Sequence, residues 1–210
     1  MKTKQEALKI VQLLENDYPD ALCSLEYKKD YELLFSVRLA AQCTDERVNK
    51  VTPALYNAYP TLESIANADV SDIERYIHSC GFFRAKARDI VGAAKMIIAD
   101  FDGRVPDNMD DLLKLPGVGR KTANLILGDV YNKPAVVVDT HCIRISNKLG
   151  FVDTKDPVKI ETKLHRVLPE EKSSDFCHRL VLHGRAVCSA RSPKCEICCL
   201  KEHCDTYKEK

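Results

Sequence analysis

Apolar residues recur at helical spacing along almost the whole chain. Between Lys4 and Glu15 they fall at Ala7, Ile10, Val11 and Leu14, one stripe on a 3.6-residue period. Tyr31 to Ala41 is apolar nearly all round, which predicts an enclosed central helix. Glu46 to Tyr59 keeps the helical period but contains Pro53, which predicts a break or kink. Asp69 opens a further helix with capping residues, and Gly81 is its stop. Phe83 to Phe101 places Ala87, Ile90, Val91, Ala94, Ile97 and Ile98 on one face. A short helix over Asp110 to Leu115 then approaches a glycine turn, and Arg120 to Tyr131 leaves it. Thr140 to Leu149, Pro157 to Leu168 and Ser173 to Val187 complete the series. Only Ala135 to Val138 reads as a strand, and no partner strand accompanies it. The prediction is an all-α protein without a fixed-period repeat.

A chain of 210 residues can bury a substantial core, either as one domain or as two small lobes. No apolar run approaches the length of a membrane span, and Met1-Lys-Thr-Lys-Gln-Glu opens a charged amphipathic pattern rather than a leader. A cytoplasmic location is the expectation. The net charge is only +1, so any basic surface for a polyanion must be local. Ten cysteines are present. Cys23, Cys43, Cys80, Cys142 and Cys177 stand singly among apolar residues and read as buried small hydrophobes. The other five crowd between Cys188 and Cys204.

The first stretch with chemistry in it is Leu115-Pro-Gly-Val-Gly-Arg-Lys-Thr-Ala123. Two glycines in a tight turn let backbone amides approach an anion, and the helix that follows adds its positive end. It is not a Walker loop, since Arg120 and Leu115 occupy the positions that need glycine. A dinucleotide fingerprint would need glycine at Thr122 and a strand before Gly117. A phosphate seat with Lys121 on its first helical turn remains. Downstream, Asp139 follows the apolar run and precedes a helix, the place of an N-cap.

The terminal cysteines are spaced Cys188-x6-Cys195-x2-Cys198-x5-Cys204. Four thiolates in a short loop suit zinc or an iron–sulfur cluster, and the spacing alone does not separate the two. Cys199 competes with Cys198, but only Cys198 keeps the Cys-x-x-Cys pair with Cys195. Within the first spacing, Arg191 and Lys194 are placed to meet phosphates or to be solvated surface charges. His78, His165, His178, His183 and His203 form no pattern.

The Leu115–Ala123 hairpin, the Val138-Asp139-Thr140-His141 segment and the cysteine spacing together resemble the endonuclease III family of helix-hairpin-helix DNA glycosylases. Ala41-Gln42-Cys-Thr-Asp45 and Gly81-Phe-Phe-Arg-Ala-Lys86 match further family landmarks, so the likeness runs from Tyr31 to Cys204. The resemblance implies two helical lobes flanking a DNA groove. Residues 22–132 would form a six-helix barrel containing the helix-hairpin-helix, and residues 1–21 with 133–210 would hold a [4Fe-4S] cluster on Cys188, Cys195, Cys198 and Cys204. It favours iron–sulfur over zinc and gives the cluster a structural role near the DNA.

The implied partner is double-stranded DNA bearing oxidised pyrimidines or abasic sites, handled by a monomer. The implied reaction removes the base and cuts the strand by β-elimination, with Lys121 as nucleophile and Asp139 stabilising charge on the sugar. Gln42 would enter the space left by the extruded nucleotide, with Phe82 as a wedge where relatives often carry leucine. A buried aromatic packed beside Phe83 is the other reading of Phe82. Gly117, Val118 and Gly119 would give backbone donors to a phosphate, and His141 would touch another. An adenine-specific glycosylase of the same superfamily shares the cysteine spacing. That relative normally lacks the lysine and carries a further C-terminal domain, whereas here Lys121 is present and Lys210 follows Cys204 closely. A non-catalytic DNA-binding module with structural zinc is the rival from another class.

Overall fold

The computed structural model describes residues 2–208. Its α-helices are α1 (Lys4–Asp17), α2 (Asp30–Ala40), α3 (Asp45–Ala58), α4 (Leu62–Ala66), α5 (Val70–Ile77), α6 (Phe83–Asp100), α7 (Met109–Leu112), α8 (Arg120–Asp129), α9 (Thr140–Leu149), α10 (Pro157–Val167), α11 (Ser173–Ala186) and α12 (Asp205–Lys208). The described residues contain no strand. None of their helices is long and apolar enough to cross a membrane. The chain divides into two compact units, Cys23–Tyr131 and the pair Met1–Leu22 with Asn132–Lys210.

In the unit Cys23–Tyr131, α2 is the enclosed helix that its composition predicts. Leu33, Leu34, Phe35 and Leu39 are all sealed from solvent, and α3, α6 and α8 pack around it. Helix α6 buries Ala87, Ile90, Val91, Ala94 and Ile97 and lies against α4 and α5. Side-chain caps start most of these helices: Thr44, Thr61, Asp69 and Asn108 each accept a hydrogen bond from an amide of the first turn. Helix α4 is too short for periodicity to reveal it.

The break expected at Pro53 does not occur; α3 runs through it. Pro53 is exposed, so the Asn49 carbonyl that loses its usual donor lies toward the solvent side, where water can replace the missing bond.

In the second unit, α1 buries the predicted stripe of Ala7, Ile10, Val11 and Leu14 and packs on α11, which also packs on α9. Thr3 and Glu6 close a capping box at its start. The expected strand Ala135–Val138 is a buried extended segment without a ladder. Its Ala135 amide donates to Ser173 Oγ at 3.1 Å, a side-chain substitute for a neighbouring strand.

Helix α9 ends at Gly150, whose φ is +80° and whose missing Cβ would sit 1.8 Å from Asp205 Oδ2. Gly103 has a similar φ of +73° but open space around it. Gly103→Ala should therefore cost about 1 kcal/mol, the backbone penalty alone. Gly150→Ala should cost about 2–4 kcal/mol, because Asp205 must also give up its ion pair with Lys2. Urea melts of the two variants check the order, and equal losses would contradict the close approach.

Candidate functional site

The glycine turn joins α7 to α8 and rests on an ion pair. Arg38 of α2 donates from Nε and Nη2 to Asp89 Oδ2 of α6, at 2.7 and 2.6 Å. A Cβ on Gly117 would lie 2.6 Å from Arg38 Nε and 2.8 Å from Asp89 Oδ2, and the residue's φ is +73°. Glycine is thus needed twice, for conformation and for contact. Gly119 is the N-cap of α8, with open space where a side chain would go. The Val118 amide donates to the Leu115 carbonyl at 3.1 Å and closes the turn. This corrects its expected use toward phosphate and narrows the donors to Gly117, Gly119 and the opening amides of α8. Lys121, second residue of α8, is exposed.

Gln42 and Phe82 share a rare property in the same unit. Both have positive φ, 55° and 45°, and both are exposed. Left-handed backbone in non-glycine residues is costly and marks places where surrounding structure dictates conformation. Phe82 is 69% exposed, which overturns the reading of a packed aromatic. Phe83 takes that place, its ring 4.5 Å from the His78 ring.

In the other unit, Asp139 is the N-cap of α9 as its position predicts. Its Oδ1 accepts the Cys142 amide hydrogen at 2.7 Å, which fixes the direction of a half-buried carboxylate. Beneath it the Cys177 thiol is pushed well above its ordinary range, first by its hydrogen bond with Cys142 and then by burial. Cys80, Cys142 and Cys177 are buried as predicted, whereas Cys23 and Cys43 are only half-buried.

His141 is not an ordinary surface histidine. Its Nδ1 is 3.1 Å from Arg144 Nη2, and Gly184 leaves room for the ring. A guanidinium only donates, so Nδ1 accepts and a neutral ring carries its proton on Nε2. Arg144 also donates to the Cys188 carbonyl at 2.8 Å, tying α9 to the first of the terminal cysteines.

Cys188, Cys195, Cys198 and Cys204 all line one open cavity, together with Lys148, Lys194 and Lys201. Cys199 does not line it. That thiol bonds Asp17 at the end of α1 and is pushed up to about 12, chiefly by burial. Of these two neighbours, Cys198 is the one that lines the cavity. Burial also raises the Cys188 and Cys198 thiols, with Lys148 and Arg144 opposing it at Cys188.

The described residues contain no group of three or more His, Cys, Asp or Glu closed around one ion. Four soft donors around one cavity, with lysines to balance thiolate charge, have the chemistry of an iron–sulfur ligand set. Arg191 and Lys194 are exposed on the loop between the first two thiols, held by the Lys194 amide to Val187 and the Ser192 amide to Ser189.

Three residues escaped sequence reasoning. His183 is fully buried, with Nδ1 3.2 Å from the Tyr18 hydroxyl and Nε2 3.5 Å from Cys198 Sγ. Burial lowers its pKa. The Arg38–Asp89 pair was equally silent, because its meaning lies in what rests on it.

Residues 35–170 match the family described as HhH-GPD superfamily base excision DNA repair protein. The chain is 48% identical to the endonuclease III of Synechocystis sp. over 202 residues, 96% of this chain and 92% of that one. It is 37% identical to the Escherichia coli K12 endonuclease III over 207 residues, 99% of this chain and 98% of its relative. Among solved structures it is similar to a trapped endonuclease III–DNA covalent intermediate and to a non-covalent endonuclease III–DNA complex. Both give a TM-score of 0.91 at 40% identity, cover 100% of this chain, and are themselves covered to 99% and 98%.

The cavity generates a direct expectation. Cys199→Ala should keep the metal content of the purified protein, and Cys198→Ala should lose most of it. Elemental analysis with acid-labile sulfide checks this, and equal content in both variants would remove Cys198 from the ligand set.

Proposed function

The chain belongs to the endonuclease III family of the HhH-GPD superfamily, and from that premise we propose that it frees oxidised pyrimidines from duplex DNA and cuts the strand through a Schiff base on Lys121. The enzyme is a base-excision DNA glycosylase and abasic-site lyase, and the endonuclease III match across nearly its whole length favours this over an adenine-specific or non-catalytic relative. The lesion class and the residue roles are the proposal.

One observation carries the reading: an exposed lysine on the opening turn of a helix, next to a glycine turn whose outer face is open. The free amine is the nucleophilic form of this side chain. Its lone pair attacks the sugar C1′ as the base departs with the bonding electrons. Ring opening then gives an iminium, which acidifies the C2′ proton. Loss of that proton expels the 3′ phosphate and breaks the strand. Water in place of the amine would free the base but leave no electron sink. The covalent intermediate with DNA trapped for a 40% identical relative supports this route.

Asp139, aimed by its cap bond, stabilises the positive charge that grows on the sugar. The nucleotide must leave the stack before its C1′ can be reached. Gln42 and Phe82, exposed on fixed backbone, fill the space it vacates. Gly117, Gly119 and the α8 amides seat a phosphate, while His141 Nε2, Arg191 and Lys194 hold others. Cys188, Cys195, Cys198 and Cys204 would hold a [4Fe-4S] cluster, whose contribution is to brace the loop carrying Arg191 and Lys194. The enzyme acts as a monomer in the cytoplasm.

Lys121→Gln should abolish both strand nicking and borohydride trapping on lesion-bearing duplex. Asp139→Asn should slow base release about a hundredfold or more while melting like the parent. Undiminished turnover in Asp139→Asn would remove its role. A panel of single-lesion duplexes with thymine glycol, uracil or an abasic sugar tests the substrate class, and preference for uracil over thymine glycol would overturn it.

A further inference from the structure

Lys86 is the most deeply buried lysine of this unit, 1% exposed and among the largest fully buried side chains. It stands on the first turn of α6, and its ammonium donates to two carbonyls, Leu39 at 2.8 Å and Cys80 at 2.7 Å. Leu39 lies in the last turn of α2, three residues before Gln42. Cys80 closes the short 3-10 turn after α5, two residues before Phe82. One charged group therefore joins the two chain segments that carry Gln42 and Phe82.

Keeping a lysine dry is expensive, and an apolar side chain of similar volume would fill the same space without that cost. Withdrawal from water lowers the Lys86 pKa, opposed by the Cys43 and Cys80 thiols. What the cation meets is a pair of carbonyl dipoles where one helix and one 3-10 turn end. Carbonyls there lack intrahelical donors and attract positive charge. No apolar residue could bind both at once.

We infer that Lys86 is a positioning residue that locks the Gln42 and Phe82 segments into one register, so that both enter the duplex as a single unit. This rests on the reading that Gln42 and Phe82 fill the space of the extruded nucleotide. Local turns, with the Ala41 amide on Arg38 and the Cys43 amide on Ala40, shape the Gln42 segment but do not reach the Phe82 segment. The bond to Leu39 fixes the exit of α2 on one side, and the bond to Cys80 fixes the approach to α6 on the other. Relative placement matters because an error of about 1 Å in a pre-arranged site can cost on the order of a hundredfold in rate.

The test compares the parent enzyme with Lys86→Met, with the double variant Gln42→Ala/Phe82→Ala, and with all three changes combined. Each acts on a duplex holding one thymine glycol opposite the fluorescent base 2-aminopurine. Lys86→Met should slow single-turnover base release about tenfold to a hundredfold and flatten the fluorescence rise that reports unstacking of the opposite base. Borohydride trapping on a preformed abasic duplex, where no base has to be extruded, should fall far less. In the Gln42→Ala/Phe82→Ala background the Lys86→Met change should have no further effect.

A folded Lys86→Met enzyme with the parent's rate and fluorescence would overturn the inference. So would an equal loss from Lys86→Met in both backgrounds, which would mark a general packing role. If the double variant releases base at the parent rate, the gap-filling reading fails with its own signature and takes this inference with it. Should Lys86→Met not fold, hydrogen exchange on the parent protein decides. Residues 41–43 and 81–83 becoming protected together on abasic duplex supports the lock, and protection of one segment alone overturns it.

Discussion

Every α-helix ends in backbone amides or carbonyls that its own turns cannot satisfy, and the residues proposed for the chemistry of this protein sit at those ends. Lys121 occupies the second position of α8, and Asp139 is the cap of α9. Phe82 is the residue from which α6 starts, and Gln42 follows the last turn of α2. At amide-rich ends an anion is welcome, which suits a phosphate or a carboxylate. At carbonyl-rich ends a cation is welcome, and Lys86 answers that need inside the unit. An all-helical protein with many short helices has many such termini. Clustering side-chain function there adds little to what folding already requires.

The discontinuous unit illustrates a second use of helix ends. Helix α1 belongs at the beginning of the sequence, yet its last turn is fastened to the C-terminal loop. Tyr18 meets His183, whose other nitrogen meets Cys198, while Asp17 takes the Cys199 thiol. Arg179 donates to the Tyr18 carbonyl at 3.1 Å, and Lys172 pairs with Glu15 at 2.7 Å. Helix α1 therefore depends on the same loop that carries the four cavity thiols. Bracing that loop with the proposed inorganic core would stabilise both ends of the chain, which gives a structural cluster a purpose without any part in the reaction.

The helices were legible in the sequence because their apolar stripes repeat: Ala7, Ile10, Val11 and Leu14 announce α1, and Asp139 announces the start of α9. Candidate chemistry was legible wherever side chain and backbone signals coincide, as at Gly117 to Lys121. Other features depend on tertiary placement. Pro53 reads as a break until its exposed position is known, and Val118 reads as a phosphate donor until the Leu115 carbonyl is seen to take its hydrogen. Cys198 and Cys199 are neighbours of one type, and only the cavity separates them. Histidine spacing said nothing about His183, since its partners lie far away in the chain.

Exposure of Lys121 bears on when the reaction can begin. A solvated lysine keeps its water shell, which stands between the amine and a sugar carbon. Its own unit leaves the side chain exposed, so DNA has to complete the removal of water from around it. A phosphate seated at Gly117 and Gly119, as proposed, would then do more than anchor the DNA. Gripping the backbone beside Lys121 brings a low-dielectric sugar and base edge against the amine at the moment it is needed. An amine dried in advance would have required burial, and burial would have closed off the C1′ it must reach. Leaving the nucleophile wet until the substrate dries it reconciles access with reactivity, and it makes phosphate seating a precondition of the chemistry.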